Sequence, residues 1–475
     1  MFKKIVLDNY KSFRHIEIDL TGAEKKPLDH AFIYGENGSG KSNLIESMMF
    51  LKDSMKTVGV LNRLRAFADK HDALKNIDQK RRAAGNSLPK QPEPDQNEII
   101  KIRELLDTMP FDLSAMAEGV RTIDPDAGLS ASYHFVINGY DGCYEMRFGN
   151  DNRLIYEKLN FVVESRAKDI FEISSSEIRG VAEHQIRTEF SPQLFLNKKY
   201  KDGVADLIKK YWGRHTFMSI LDNEYSLNNA GYMKESLGTG IADVMKYFDD
   251  LVVSYNFDGK PVGRGIADKI LSDLDFGRIL PEEKAQLSIF EKALNSFFTR
   301  IYSDVKKAYY RTETVDGMLQ YTLCFSKMIG GKRREIEIYR ESAGTKRLLG
   351  LLFPAFFECA RGKTVFLDEL DSGVHDRLIK DVVSDLKDTF KGQFVATTHN
   401  TSLLEVIDPK NIFVIQIDPR GEKRILSLNK IERTQRNHNN RIRYMNGVFS
   451  AVPILGEIDF DDIVRRADGS LRGMK

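Results

Sequence analysis

The sequence predicts an α/β protein with a mixed sheet and flanking helices, assembled from an N-terminal and a C-terminal lobe. Two observations predict this fold. An apolar strand at residues 31–34 leads into the pattern G-x-x-x-x-G-K-S at residues 35–42, and a second apolar strand, residues 364–367, ends in Asp368 and Glu369. Because most of the chain lies between the two motifs, we expect large insertions to separate the lobes.

The glycine-rich pattern near the start is typical of a phosphate-binding loop. Gly35, Gly38 and Gly40 favour backbone conformations with φ > 0, so that successive N–H groups turn inward around a polyphosphate. A helix beginning near Lys41 adds its dipole; the Lys41 ammonium can reach the β and γ phosphates, and the Ser42 hydroxyl can ligate Mg²⁺. The predicted nucleotide-binding residues are Gly35, Asn37, Gly38, Ser39, Gly40, Lys41, Ser42 and Asn43.

The bulk composition is that of an ordinary soluble globular protein. The 475 residues are enough for two or three domains, and the net charge of +2 gives no argument for nucleic acid or a membrane surface. The three cysteines are far apart, which argues against a disulfide framework or a cysteine zinc site. The N-terminus lacks a signal-like apolar core and no apolar run is as long as a membrane span, so we expect a cytoplasmic protein.

Residues 1–55 are predicted to form the N-terminal lobe. Residues 5–13 and 16–20 indicate a hairpin before the phosphate-loop strand. Either Tyr10 or Phe13 then contacts the adenine of a nucleotide, or both pack in the core.

Residues 56–118 are predicted to be an inserted helical hairpin. Its tip, residues 80–94, is charged and rich in proline, which indicates an exposed loop. The basic cluster there either contacts phosphates or is simply solvated. Residues 119–190 alternate with a period of two and predict an antiparallel sheet, with turns at Asn138-Gly139 and at Asp141-Gly142.

Residues 191–311 are predicted to be a mostly helical insertion. Apolar residues at alternating three- and four-residue spacing from Leu287 to Ala308 predict one long amphipathic helix. The spacing also suits a coiled coil, and it leaves open whether the helix packs on the protein or protrudes as an arm.

Residues 312–430 are predicted to be the C-terminal lobe. A buried parallel strand would place Asp368 at its carboxyl end, where α/β sheets bind ligands, so that Asp368 holds Mg²⁺ through water. Glu369 is then positioned to orient or deprotonate the attacking water. The next strand ends at His399, which can sense the γ-phosphate. Before these strands, a hairpin leads to Ser342, a suitable helix N-cap, and to Gly344.

These motifs, in this order, resemble the ABC-type P-loop NTPase heads of the family that includes Rad50, SMC and RecF proteins, and particularly the OLD-like AAA15/AAA21 ATPases of bacterial anti-phage defence. The similarity covers residues 1–55 and 318–417. The residues that match the signature motif are Ser342, Gly344 and Thr345; those that match the D-loop are Asp371, Ser372 and Gly373; and His399 matches the switch histidine.

Two parts of this family pattern are incomplete. His375 resembles the histidine of the OLD-like Leu-His-Pro, but Asp376 stands where that pattern has proline. The Q-loop glutamine is not located; Gln185 and Gln193 are the candidates.

Residues 431–475 are predicted to be an interface segment. Residues 437–453 resemble the closing segment of the AbiL/RloA-like ATPases and of the ATPase subunit of PARIS systems. Their arginines can face nucleic acid, a partner subunit or solvent. No Toprim or HNH nuclease segment follows, unlike in OLD-family nucleases, so we expect another polypeptide to supply effector chemistry.

The resemblance implies that ATP and Mg²⁺ bind, and that the signature of one subunit caps the γ-phosphate held by another. It therefore implies a homodimer or higher homo-oligomer that acts as a slow ATP-dependent switch in anti-phage defence. The implied partners are a separately encoded nuclease or toxin and a phage trigger protein, with nucleic acid optional and no membrane.

Three other functions compete with this one. A RecF-like repair or recombination ATPase that binds duplex DNA is the main alternative. An SMC-type chromosome organiser would need long heptad stretches that the middle of the chain lacks. An ABC transporter subunit would not need so large an insertion between its motifs.

Overall fold

The computed structural model describes residues 1–67, 111–122, 127–163, 166–177, 184–257, 260–431, 439–450 and 459–472. It is a mixed α/β structure in which two seven-stranded sheets and one four-stranded sheet pack with helices. The strands are β1 (Phe2–Tyr10), β2 (Phe13–Asp19), β3 (His30–Tyr34), β4 (Ser130–Ile137), β5 (Tyr140–Phe148), β6 (Leu154–Val163), β7 (Arg166–Glu177), β8 (His184–Phe190), β9 (Val252–Phe257), β10 (Lys260–Arg264), β11 (Phe276–Ile279), β12 (Val305–Val315), β13 (Met318–Ile329), β14 (Lys332–Glu337), β15 (Thr364–Leu367), β16 (Gln393–Thr397), β17 (Ile412–Ile417) and β18 (Lys423–Ser427).

Helices occur in both terminal parts of the chain and in its middle. They are α1 (Lys41–Ser54), α2 (Leu113–Val120), α3 (Lys198–Tyr211), α4 (Phe217–Leu227), α5 (Ala230–Ser236), α6 (Thr239–Asp249), α7 (Lys269–Ser272), α8 (Lys284–Ile301), α9 (Ala343–Arg347), α10 (Phe353–Ala360), α11 (Asp376–Leu386), α12 (Leu428–Ile431), α13 (Asn440–Met445) and α14 (Phe460–Arg472). None of the helices in this described part of the chain is both long and apolar enough to cross a bilayer.

The central sheet has the order β10-β9-β15-β16-β3-β17-β18. Its five inner strands are parallel, and both edge strands are antiparallel to their neighbours. Strand β3 is buried along its whole length because alternate residues enter two different cores: Ile33 packs with α1 and Tyr34 packs with α10 and α11. The predicted α/β fold with flanking helices, built from both ends of the chain, is confirmed.

The second sheet, β2-β1-β4-β5-β6-β7-β8, is antiparallel throughout and packs on the α1 side. The predicted turn at Asn138-Gly139 is present, with both residues at positive φ. The predicted turn at Asp141-Gly142 is wrong, since Gly142 lies inside β5. A side chain there would meet the Phe135 ring at 2.3 Å, so this glycine makes room for an aromatic ring.

The predicted long helix from Leu287 to Ala308 is also wrong in its last part. Helix α8 ends at Ile301, and the apolar residues that follow belong to β12. The pairing of β12 with β13 shifts register between Val305 and Lys307. A β-bulge adds one residue on one strand, so Val305 and Ala308 both face the core although they are three positions apart. A spacing of three positions between buried apolar residues is also typical of an amphipathic helix.

Residues 191–311 are therefore more than a helical insertion. Strands β9 and β10 belong to the central sheet, where β9 pairs directly with β15. The four-stranded sheet of β11 to β14 lies beside α8 and leads into α9. Of the predicted hairpin at residues 56–118, residues 57–67 and α2 are helical, and residues 68–110 lie outside the described residues.

Candidate functional site

The phosphate loop joins β3 to α1 as expected, with one difference in its backbone. Gly38 and Gly40 have φ of 79° and 104°, and Gly40 caps α1 in the left-handed conformation. Gly35 is not at positive φ. It is needed for space, because a side chain there would lie 2.6 Å from the Ser39 Oγ and 3.2 Å from the Ile415 Cβ.

Lys41 folds back onto this loop. Its Nζ donates hydrogen bonds to the carbonyl oxygens of Gly35 at 2.8 Å and Glu36 at 3.0 Å, and the residue is 7% exposed. Burial lowers the Lys41 pKa, and the negative charges of Asp368 and Glu369 oppose that shift. The ammonium group therefore lies within electrostatic range of both acids that follow β15.

Side chains outside the G-x-x-x-x-G-K-S motif also contact the loop and the start of α1. The Phe13 ring lies where a Gly40 side chain would be, 2.6 Å from its Cβ position. The Lys423 Nζ donates to the Gly38 carbonyl oxygen at 2.9 Å and lies 5.6 Å from the centre of the Phe13 ring. Asn43 Nδ2 donates to Ser12 Oγ at 2.7 Å. Phe13 is fully buried, so it supports the loop from the core.

Tyr10, the other aromatic residue considered for adenine contact, is fully buried and packs edge-on against Phe50. Its position fits the core-packing alternative.

Asp368 lies at the carboxyl end of β15 and is 3% exposed. Its Oδ1 accepts a hydrogen bond from Thr397 Oγ1 at 2.5 Å, and its backbone N–H donates to the Ser254 carbonyl at 2.8 Å. Its Oδ2 is buried without a hydrogen-bond partner among the described residues. A buried carboxylate oxygen without a donor is costly, and a bound or hydrated cation would satisfy it. The Asp368 Oδ2 is therefore a suitable ligand for Mg²⁺.

Glu369 occupies a strained backbone conformation, with a φ of 50°. For a residue with a side chain this conformation costs about 1–2 kcal/mol. Its N–H donates to Thr397 Oγ1 at 2.8 Å, and Arg347 donates to its carbonyl oxygen. Strand β16 and the helix after Ser342 thus both fix the orientation of this acid.

Asp371 connects the D-loop to the end of β16. Its Oδ1 accepts from Thr398 Oγ1 at 2.7 Å and from the His399 backbone N–H at 3.1 Å. His399 itself is exposed. Burial of part of the ring and the nearby Lys41 charge lower the His399 pKa.

The other D-loop residues are more open. Ser372 and Gly373 are exposed, and Gly373 has a φ of 72°. His375 accepts from the Arg377 N–H and caps α11, whose first residue is Asp376. An acid at a helix N-terminus is favourable, which gives Asp376 a local role where the family pattern has proline.

The signature region begins a helix, as expected. Ser342 accepts from the Thr345 N–H at 3.2 Å, and Ser342 and Ala343 are exposed. Gly344 lies against the D-loop, because a side chain there would be 2.5 Å from the Gly373 carbonyl oxygen. No hydrogen bond or ion pair within the described ranges joins Ser342, Gly344 or Thr345 to the phosphate loop.

The strand order brings the remaining predicted residues together. Strands β15, β16 and β3 are adjacent and parallel, so their carboxyl ends share one edge of the sheet. The residues that follow them there are the phosphate loop, Asp368, Glu369 and His399.

The two Q-loop candidates are not part of this edge. Gln185 lies on β8, and β8 and β2 are the two edge strands of the same sheet. The distance between these two strands is six strand spacings, or about 29 Å. Gln193 is exposed, and its carbonyl packs against Gly238.

The C-terminal segment is partly integrated into the fold. The Tyr444 ring lies edge-on to Tyr34 at 5.5 Å, and Phe449 is 1% exposed. Arg441 pairs with Glu405 at 3.0 Å in the same chain, so it does not point freely at a partner. Residues 432–438 and 451–458 of this segment lie outside the described residues.

Comparison with known proteins finds two AAA domain models that match separate parts of this chain. Residues 212–405 match a family model described as "AAA domain, putative AbiEii toxin, Type IV TA system", and residues 4–53 match one described as "AAA domain". These ranges contain the phosphate loop, the acids after β15 and His399. The chain therefore carries AAA-type ATPase domain sequence. A search of the curated proteins found no match.

Among the solved structures that match are heads of SMC proteins. One is the SmcHead bound to the C-winged helix domain of ScpA, with 14% identity, a TM-score of 0.41, and 90% of this chain and 98% of that one covered. The SMC head domain from Thermotoga maritima has 15% identity and a TM-score of 0.35, and the match covers 90% of this chain and 98% of that one. The Smc head domain with an extended coiled coil, from Pyrococcus furiosus, has 13% identity and a TM-score of 0.37, and the match covers 94% of this chain and 99% of that one.

Proposed function

We propose that the protein binds and slowly hydrolyses ATP, and that two copies share each bound nucleotide. The observation that supports this most is the meeting of the phosphate loop, Asp368, Glu369 and His399 at one edge of the central sheet. The Lys41 ammonium and the acids after β15 are close enough to influence one another electrostatically. This is the arrangement that phosphoryl transfer from a nucleoside triphosphate requires.

Binding of the triphosphate starts from the loop N–H groups and the N-terminus of α1. Lys41 now bonds to two loop carbonyls. A phosphate oxygen would replace those acceptors and gain a charge-assisted hydrogen bond. Ser42 and Asp368 would hold Mg²⁺, which when bound neutralises charge on the phosphate oxygens.

Hydrolysis requires a group that orients or deprotonates water. Glu369 is the candidate, since its strained backbone is fixed by Thr397 and Arg347 and its side chain is partly exposed. His399 would then donate to the γ-phosphate or accept from the attacking water.

The signature motif supports sharing of the nucleotide between copies. Ser342 and Ala343 are exposed at a helix start, and no described contact links them to the phosphate loop of their own chain. In a symmetric pair, each signature would close the pocket of the other copy, so that ATP joins the two copies and hydrolysis weakens the pair.

We further propose that this cycle controls a separately encoded nuclease or toxin in anti-phage defence, in response to a phage protein. The supporting observation is the match of residues 212–405 to an AbiEii-type AAA model. The identity of the gene next to this one tests the proposal directly. A neighbouring nuclease or toxin gene supports it, whereas neighbouring replication genes contradict it.

One observation favours a RecF-like, DNA-binding function as the second candidate. The tip of the β13–β14 hairpin carries Lys332, Arg333 and Arg334, all exposed and without an ion pair in the described structure. Binding of duplex DNA that weakens steeply as salt rises, and that is lost on Arg333→Glu, would support this candidate. A flat salt response or no binding would remove it.

The shared-nucleotide proposal is tested by sedimentation of the Glu369→Gln variant. We expect hydrolysis to fall by roughly 10²–10⁴ while ATP binding remains, so that Mg²⁺ and ATP shift the variant to a dimer or larger oligomer. Adding Ser342→Arg, an exposed change, should abolish the shift but not ATP binding. Adding Lys41→Ala should abolish both. An ATP-induced oligomer that survives Ser342→Arg would contradict the trans signature.

A further inference from the structure

A cavity of about 450 Å³ lies beside the candidate site. Strands β9, β10 and β15 bound it on one side, and residues 346–355 bound it on the other. Small-molecule sites in proteins have volumes of about 300–1,000 Å³ and are mostly apolar. Most of the surface of this wall is apolar, with Val252, Val365 and Leu351 among its residues.

The polar part of the wall has one sign of charge. Arg264, Lys346 and Arg347 line the cavity, and no Asp or Glu is among its described lining residues. The Lys346 ammonium donates to the Tyr339 carbonyl, and Arg264 Nε lies 3.7 Å from Asp53 Oδ1. The Arg347 Nε is buried and has no hydrogen-bond partner among the described residues. The Arg347 side chain would have to turn toward the cavity for a negatively charged acceptor there to satisfy this N–H.

The helix that forms one wall is irregular at this point. Residues Leu348–Leu352 make a π-helical turn between α9 and α10, and Pro354 follows in the first turn of α10. Proline lacks an N–H and clashes with the carbonyl four residues earlier, so a wider turn relieves the helix. Gly350 faces open space within this turn: apart from its chain neighbours and the backbone of its own helix, no atom lies within 4 Å of its Cβ position. Turns of this kind occur often at functional sites.

We propose that this cavity binds a small amphipathic anion, with a carboxylate-type head at Arg347 and an apolar body of about eight to ten carbons against the strand and helix side chains. Charge selects the head, and the aliphatic wall selects the body. Neither the phosphate loop nor the acids that follow β15 belong to the cavity, so it is separate from the nucleotide site.

The position of Arg347 links this site to the catalytic edge. Arg347 donates to the Glu369 carbonyl oxygen and lies at the end of the helix that begins at Ser342. An anion that draws Arg347 into the cavity would compete with that hydrogen bond and would change how Glu369 is held. This regulatory part rests on the proposed function, whereas binding itself does not.

Binding is tested on the full chain without nucleotide, by titration calorimetry with octanoate as the probe. Octanol and octylamine have the same body with a neutral or cationic head. We expect octanoate to bind at least tenfold more tightly than either. Equal binding of the three probes, or no octanoate binding, would overturn the proposal.

Two variants locate the site. Gly350→Leu should fill the cavity without a backbone clash and weaken octanoate binding at least tenfold, while Gly203→Leu, on an exposed face of α3, should leave it unchanged. Arg347→Gln should remove the preference for octanoate over octanol. Thermal unfolding verifies that each variant is folded. Full octanoate affinity in folded Gly350→Leu would place binding elsewhere and overturn the proposal.

The regulatory part has its own readout. Octanoate should change the ATP turnover of the wild type at least twofold and have no effect on Gly350→Leu. If octanoate binds in the cavity but turnover does not change, the site stands and the link through Arg347 is refuted. If the protein has no ATP turnover, the proposed function fails while calorimetry still decides the site.

Discussion

Gly344 and Gly373 are in direct backbone contact: a side chain at Gly344 would lie 2.5 Å from the carbonyl oxygen of Gly373. The first belongs to the signature and the second to the D-loop. The start of α9 therefore cannot move toward Gly373 without displacing the D-loop, whose Asp371 bonds to the backbone of His399. The candidate signature, which a partner copy would contact under the proposed function, is therefore packed against the segment that leads to the chain's own candidate catalytic edge.

The Gly344→Ala change tests this contact. The added methyl group meets a backbone carbonyl, which a side-chain rotation cannot relieve, and overpacking of this kind costs about 1–3 kcal/mol. We expect ATP turnover to fall at least tenfold with nucleotide binding kept. Gly350→Ala, in the π-helical turn that follows α9 and with open space at its Cβ position, is the matched control and should retain turnover. Normal turnover in Gly344→Ala would show that the contact between Gly344 and Gly373 does not affect ATP hydrolysis.

Asp368→Asn tests the candidate Mg²⁺ site. Asparagine keeps the acceptor that Thr397 uses but removes the negative charge of the buried oxygen that has no partner. In the wild type with ATP, Mg²⁺ should raise the unfolding temperature; in the variant this rise should be lost, together with hydrolysis. Asp385→Asn, an exposed acid on α11, should behave as the wild type. An undiminished Mg²⁺ effect in Asp368→Asn would exclude it as a ligand.

Lys423→Met tests a residue that lies outside the sequence motif. Losing the hydrogen bond to the Gly38 carbonyl should loosen the loop and weaken ATP binding about fivefold to tenfold, near 1 kcal/mol. Fluorescent-nucleotide titration measures the affinity. The adjacent Arg424 is exposed and faces the other side of β18, so Arg424→Met should retain wild-type affinity. Equal loss in both variants would indicate a general charge effect.

Glu157→Gln tests a buried acid in the antiparallel sheet. Glu157 accepts hydrogen bonds from Tyr144, Trp212, and the backbone N–H groups of Phe217 and Met218, and it is fully buried. The glutamine NH₂ would face one of these donors, which an ionised carboxylate does not do, so we expect the free energy of unfolding at pH 8 to fall by about 2–3 kcal/mol. Chemical denaturation measures it.

The pH dependence of this effect has a definite sign. Burial raises the Glu157 pKa from 4.5 to about 7 in the folded protein. Between those values the folded state binds more protons than the unfolded state, so this group's contribution to stability decreases as pH rises from 4.5 to about 7. The variant lacks that decrease. The stability gap between wild type and Glu157→Gln should therefore be larger at pH 5 than at pH 8, and a gap that grows with pH would contradict the assignment.

The sequence by itself determined the local chemistry of this protein. The phosphate loop, the acid pair after a strand, and the capped helix at Ser342 are each written in fewer than ten consecutive residues, because glycine freedom, strand ends and helix caps are local properties. The Asn138-Gly139 turn was predictable for the same reason. The failures were local signals with two meanings: Gly142 makes room for an aromatic ring, and the β-bulge at Val305 imitates helical spacing.

Only the tertiary structure decided which residues lie near each of these motifs in space. The order β15-β16-β3 places the acids, His399 and the phosphate loop at one edge, and it arises from strand pairing over more than three hundred residues of sequence. Lys423 reaches Gly38, and Gly344 reaches Gly373, through the same long-range packing. Such contacts depend on which buried surfaces fit together across the whole chain, and no short stretch of residues encodes that choice.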